Sequence, residues 1–311
     1  MIPALLQVIA SDSVDMYVNL SQRLLPVVSY VAKRSPYRCA RAFYFYFSFY
    51  FKSFSLFIKQ SAARQAVSVW VKNRVASSYS AEPAHLGPNY KAILPTDRAA
   101  LKSNILPLLA ASPSRAITVQ LASTLKTLIS HDFPERWPDL LDGVKALLAS
   151  HNIREVGAGT VVVLEMVRAF RCVSFPCFLW CISQGCRLTR FGELRFRQKS
   201  DILTAIIEQT FGTLVTLATN LLNSPPAGAE QEIPAILHII LKTYKHSIVL
   251  NLSSHQQDSS SLVPWGRLLF DVVNLRIPHD AVPANEEERE RSEWWKAKKW
   301  ACGILGRLFH R

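Results

Sequence analysis

Acidic residues are scarce in this chain. Across 311 residues, 23 Asp and Glu face 36 Lys and Arg, for a formal charge of +13. Taken as an average, that balance suits nucleic acid or an acidic surface as partner. The distribution narrows it: residues 17–58 hold six basic side chains and no acid, and residues 172–190 add Arg187 and Arg190, again with no acid, so these two segments carry eight of the thirteen charges. Catalytic signatures are missing as well. No G-x-x-x-x-G-K-S/T, G-x-G-x-x-G, H-E-x-x-H or G-x-S-x-G string occurs, and the eight histidines show no ligand spacing, so no enzyme is expected. Cysteine is limited to six residues, five of them (Cys39, Cys172, Cys177, Cys181, Cys186) in the same two segments. Their C-x4-C-x3-C-x4-C spacing, broken by Pro176, fits no zinc pattern. With Cys302 as the one thiol elsewhere, no disulfide framework is expected, which suits a reducing compartment. Neither a metal nor a cofactor is expected.

A long aliphatic run is lacking too. The longest apolar stretch, Phe43 to Ile58 (FYFYFSFYFKSFSLFI), is short for a span of about 20 residues, is aromatic, and carries Lys52 in its interior. It begins too far into the chain for a signal peptide. No membrane insertion is expected. Residues 17–58 and 172–190 together hold half of the 32 aromatic residues. They read as interruptions of a helical scaffold, of the kind that translated non-coding sequence would produce.

What remains is helix after helix, with no strand-period alternation. Ile117, Leu121, Leu125 and Leu128 make one buried face, and Leu140, Leu141, Val144, Leu147 and Leu148 resume the pattern after a turn. Between them lies His131-Asp132-Phe133-Pro134-Glu135-Arg136-Trp137-Pro138. Its prolines end one helix and open the next, Phe133 and Trp137 stack beneath the junction, and Asp132 and Glu135 place negative charge near a helix start. Read by itself, the turn holds a helical hairpin.

Upstream, a helix from Lys59 carries a stripe of Ala63, Ala66, Val67, Trp70, Val71 and Val75. A Ser/Pro/Gly-rich loop from Ser77 to Lys91 precedes a helix capped by Thr96 or Asp97, with Pro107 a bend. Further helices are expected from about Glu155 to Arg171, Asp201 to Leu222, Glu230 to Leu250, and Leu262 to Leu275 in spite of Pro264, with His255 to Ser261 a loop. Asn285 with Glu288 forms a capping-box pattern opening a last helix to about Phe309, which contains Trp294, Trp295 and Trp300. Tryptophans at such spacing are ordinarily core. A recurrence of roughly 40 residues per helix pair matches HEAT-type repeats, so the expected class is all-α, an α-solenoid of about five pairs.

Three stretches resemble one family. Arg64-Gln65-Ala66 with Lys72-Asn73, the turn S-H-D-F-P-E-R-W-P-D-L-L, and W-W-K-A-K-K-W-A followed by I-L-G-R-L-F are similar, in matching order, to nuclear transport receptors of the importin-β superfamily, especially the importin-7/importin-8 branch. The resemblance implies a carrier that binds the GTP form of Ran and Phe-Gly nucleoporins. It further implies basic cargo such as ribosomal proteins or histones, and shuttling between cytoplasm and nucleus with enrichment at the nuclear envelope. It divides the chain into a Ran-binding-like region, 1–80, and HEAT-like repeats, 81–311, each interrupted by one of the odd segments, with a cut first repeat as in an N-terminal fragment. Arg64, Lys72 and Asn73 are the residues assigned to the partner face, joined by Asp132, Glu135 and Arg136. The alternative is a helical-repeat scaffold or nucleic-acid binder, drawn from Lys296, Lys298 and Lys299 among the tryptophans, against which Glu286 to Glu288 would repel phosphate.

Overall fold

The computed structural model describes residues 61–79, 93–112, 114–171, 190–226, 228–248, 252–277 and 282–309, without the side chains of 61–64 and 190–196. Segment 17–58 lies outside these residues, as does segment 172–195 up to residue 189. The described residues form helices and turns with no strand, and so the all-α helical-repeat class holds. They fall into two compact units, residues up to 108 with 113–117, and residues 109–112 with 118–311.

The first unit contains α1 (Ser61–Ser78) and most of α2 (Pro95–Ala110). The buried line of α1 is Ser68, Val71, Val75 and Ser78, turned away from the expected stripe: Ala66 is exposed and Trp70 is 39% exposed. Serine is tolerated on the inner face because Ser68 Oγ donates to the Gln65 carbonyl at 2.8 Å, so it enters the core with its hydroxyl satisfied. Pro95 opens α2, where a missing N–H costs nothing, and Thr96 and Asp97 therefore lie inside the first turn instead of capping it. The helix continues through Pro107 to Ala110. Arg98 spans the end of α1, its guanidinium 4.6 Å from the centroid of the buried Tyr79 ring and its Nε donating to the Ile93 carbonyl at 3.2 Å. Asp97 is buried, which raises its carboxyl above the usual carboxylate range, with Arg74 pulling the other way.

The second unit is built in two layers. In one lie α5 (Ile153–Phe170), α7 (Ile233–Ser247) and α11 (Glu293–Phe309); in the other lie α4 (Leu140–Leu148), α6 (Arg190–Asn223) and α9 (Ser259–Asn274), each packed on its neighbours along and across the layers. The pairs α4/α5, α6/α7 and α9/α11 are the repeating helix pairs of a HEAT-type stack. Helix α3 (Arg115–Asp132) ends against α5 through Phe133 and Phe170, whose rings lie 5.9 Å apart. Helix α5 is apolar nearly all round, Val161 to Val167 being buried without interruption, because α4, α6 and α7 cover it on several sides. Where α5 crosses α4 the helices meet at Gly159: a Cβ there would sit 3.0 Å from Leu148 Cδ2 and 3.2 Å from Leu147 Cβ. Phe211, Trp265 and Tyr244 close the core between α6, α9 and α7, the last two with centroids 4.3 Å apart. Residues Arg197–Asn223 of α6 are long and apolar enough to cross a membrane by composition. Its apolar line Ile206, Phe211, Leu214, Ala218 and Leu221 is buried against the neighbouring helices while the opposite face is exposed, as in an amphipathic helix packed on one side.

Three expected boundaries are corrected. The stretch His255 to Ser261 is not a loop: Ser253 caps a short helix, α8 (Ser254–Gln257), in a full capping box with Gln256, and α9 starts directly at Ser259. Gln256 is buried and donates to Ser247 Oγ at 2.8 Å, so a polar run that looks solvated is anchored from beneath. The last helix is interrupted at Ser292, giving α10 (Glu286–Arg291) before α11, and Asn285 caps through the Glu287 amide at 3.1 Å, with Glu288 not the partner. Helix α6 begins at Arg190, eleven residues before the expected Asp201 and inside the segment read as an interruption.

Candidate functional site

Helix α1 carries Arg64, Lys72 and Asn73. Lys72 is half-buried and Asn73 exposed, both off the buried line through Val71 and Val75, and the Arg64 side chain lies outside the described residues. Asp132, Glu135 and Arg136 belong to the other unit.

The turn after α3 is tightly wound. Phe133 N donates to the Ile129 carbonyl at 3.1 Å, Arg136 N to Asp132 at 2.7 Å and Trp137 N to Pro134 at 3.3 Å, with the Phe133–Pro134 peptide cis. Phe133 and Trp137 are buried, while Pro138 is exposed and Pro134 half-buried, so the aromatics are set beneath the junction. Asp132 is only 3% exposed, and its carboxylate lies 3.9 Å from the guanidinium of the largely exposed Arg136, one helical turn on. The expectation that Asp132 and Glu135 charge a helix start is corrected: Asp132 closes the C-terminal end of α3, and the acids at the start of α4 are Asp139 and Asp142. Glu135 and Arg136 face solvent.

The C-terminal motif lies entirely on α11 and is tied to α7 and α9. Glu293 Oε2 accepts from His238 Nδ1 of α7 at 2.6 Å while its Oε1 accepts from Lys296 Nζ at 2.9 Å. Trp300 stacks on His238, centroids 6.4 Å apart, and tilts against His246 at 6.0 Å. Lys245 donates to the Gly303 carbonyl, and Lys298 reaches across to the Val273 carbonyl at 2.9 Å, tying α11 to α9. The inner line of α11 is Ala297, Ala301 and Ile304. Small residues there let the helices approach, and the tryptophans take the flanks: Trp294 and Trp300 are half-buried and Trp295 is 51% exposed, which corrects their expected place in the core. Lys299 and Cys302 share the exposed side with Trp295.

Electrostatics sharpen one end of this face. Arg171, just beyond α5, donates to His246 Nδ1 at 2.5 Å, which requires a neutral imidazole carrying its proton on Nε2. Burial, and then the charges of Arg171, Arg168, Lys242 and Lys126, push His246 down to about 3. Burial also lowers His238, against the opposing pull of Glu293. Sequence reading missed this cluster because the histidines were weighed as metal ligands. Their spacing of eight residues on a helix flanked by lysines was the available signal. Among the described residues no group of three His, Cys, Asp or Glu is placed to hold a metal. The arrangement presents fixed charges and exposed aromatic edges to other molecules.

No family model matches the chain, and no solved structure matches it. Curated proteins do. The chain is 28% identical over 252 residues to an importin beta-like SAD2 homolog of Arabidopsis thaliana, 25% over 256 residues to importin-8 of Mus musculus, and 24% over 253 residues to importin-8 of Homo sapiens. Each alignment takes in 80% of this chain but only 21–22% of the relative, so the chain spans about a fifth of the length of the proteins it matches.

Proposed function

We propose, taking the likeness to importin-8 and its importin-beta-like relatives as premise, that the chain serves nuclear transport as a binding scaffold of stacked helix pairs. The similarity across four fifths of the chain carries this reading, and the paired layers α4/α5, α6/α7 and α9/α11 supply its physical means. Such a stack offers long surfaces on which competing ligands favour different arrangements, so an effector and a cargo oppose each other by reciprocal coupling, with no catalytic group needed. The GTP form of Ran is the proposed effector, met by region 1–80 through Arg64, Lys72 and Asn73 and, on the second unit, by the exposed Glu135 and Arg136 beside Asp132. Region 81–311 supplies the HEAT-like repeats. Phe-Gly nucleoporins and basic protein cargo complete the proposed partners, with shuttling through the nuclear pore between cytoplasm and nucleus.

The test is capture of the full chain by Ran loaded with a non-hydrolysable GTP analogue against Ran loaded with GDP. Selective capture by the GTP form supports the proposal. Equal capture by both forms, together with salt-sensitive retention on RNA, would replace it with a nucleic-acid-binding scaffold.

A further inference from the structure

Among the described residues an arginine stands three positions ahead of a hydroxyl side chain at Ser77, Thr118, Ser200 and Ser292. The first three lie inside α1, α3 and α6, where the backbone is committed to the helix and no enzyme groove can take it in extended form. Ser77 Oγ also donates to the Arg74 carbonyl at 3.1 Å, and Thr118 Oγ1 to Ser112 Oγ at 3.0 Å. Ser292 differs. It stands between α10 and α11 with extended backbone, φ −58° and ψ 139°. The sequence around it reads Arg289-Glu290-Arg291-Ser292-Glu293. Helix α10 has six residues and none of them is buried, so little packing holds it and it opens at small cost. Arg289 donates from Nε to the Pro283 carbonyl at 2.7 Å and from Nη2 to the Ala284 carbonyl at 2.9 Å, bonds on an exposed surface that opening of α10 exchanges for others. Arg291 is exposed.

We propose that Ser292 is a phosphorylation site for a protein kinase whose substrate groove carries carboxylates for an arginine three positions upstream. Those carboxylates pair with the planar fork of the Arg289 guanidinium, the kind of charge pattern by which kinases select substrates. Ser292 Oγ attacks the γ-phosphorus of MgATP. The new Oγ–P bond forms as the bond from that phosphorus to the β–γ bridging oxygen breaks; ADP leaves with the electron pair, and the hydroxyl proton passes to the catalytic carboxylate of the kinase. The fold accepts the product. The Ser292 carbonyl receives the Lys296 amide at 3.0 Å, so Ser292 caps the N-terminal end of the 17-residue helix α11, where the macrodipole favours negative charge. Lys296, one turn on and bonded to Glu293 Oε1 at 2.9 Å, then serves the phosphate as well. The site stands independently of the proposed transport role.

The test incubates the full chain with MgATP and the catalytic domain of a kinase that selects arginine three positions before serine, and follows each site by mass spectrometry. A peptide of residues 286–296 serves as the unfolded substrate control. Ser292 takes up phosphate at least about tenfold faster than Ser77, Thr118 or Ser200, and Arg289→Gln slows it about tenfold for the loss of one charge-assisted paired contact. Arg267→Gln on α9 leaves the rate unchanged, and Ser292→Ala removes that label alone; thermal melts verify that the variants fold. The phosphorylated chain melts no lower than the unmodified one. Labelling of the peptide without the folded chain, labelling of neither, equal labelling of the four sites, indifference to Arg289→Gln, or a phosphorylated chain that melts several degrees lower would each overturn the proposal.

Discussion

Replacing Gly159 with alanine tests the helix-pair packing through the sign of its effect. Inside a helix, alanine is better than glycine by about 1 kcal/mol, so with room available the change stabilises. Gly212 in α6 provides that reference, since a Cβ there would meet nothing within 4 Å. At Gly159 the new methyl lies 3.0 Å from Leu148 Cδ2 and 3.2 Å from both Leu148 Cγ and Leu147 Cβ. The Leu148 side chain is buried and has nowhere to swing, and Leu147 Cβ is fixed to the backbone of α4, so α4 and α5 must separate. Overpacking of this kind costs roughly 1–3 kcal/mol. Because the propensity gain is common to both sites, the difference between Gly159→Ala and Gly212→Ala isolates the contact and is expected to be about 1–3 kcal/mol, or a few degrees in Tm for a domain of this size. Gly157→Ala, whose Cβ would lie 3.6 Å from Ile236 Cγ1, should behave like Gly212→Ala. Denaturant melts followed by circular dichroism give the three values. Equal stabilisation by Gly159→Ala and Gly212→Ala would refute the α4–α5 contact.

Removing the aromatic seal below the turn, Phe133→Ala, should cost about 3–5 kcal/mol because the ring is buried against Phe170; a loss under 1 kcal/mol in the same melts would put the ring outside the core. His246 predicts acid sensitivity: its folded pKa of about 3 lies below the unfolded value near 6.5, so the unfolded chain binds the extra proton in between, and the stabilisation present above 6.5 is lost as pH falls toward 3. For a half-buried imidazole the loss specific to His246 between pH 7 and 5 should be about 1 kcal/mol after allowing for solvent screening. Identical losses in the native chain and His246→Gln would contradict this.

Much of this architecture was legible because helices of a layered stack bury one face, and one face is what periodicity reports. The α3 and α4 stripes and the aromatic-proline turn were read from spacing alone, and the structure buries Phe133 and Trp137 as that reading required. Errors gathered where polar groups are satisfied internally. Ser68 enters the core by bonding its own helix, and Gln256 is buried by bonding Ser253 and Ser247, so polarity misreported burial in both places. The tryptophans of α11 failed for the opposite reason, since close helix approach takes alanines at the contact and leaves large rings at its margin. The cations around His246 were hidden because they come from three helices whose sequence separation exceeds any local window.

The account depends on the chain being a binding scaffold for a nuclear transport GTPase. Quantitative binding of the full chain to Ran in its two nucleotide states, read by calorimetry, tests that most directly. The account predicts saturable binding to the GTP-analogue form at least about tenfold tighter, about 1.4 kcal/mol, than to the GDP form. It also predicts loss of that preference in Lys72→Ala with Asn73→Ala. Equal affinity for both states, or no binding to either by a chain that melts cooperatively, would contradict it.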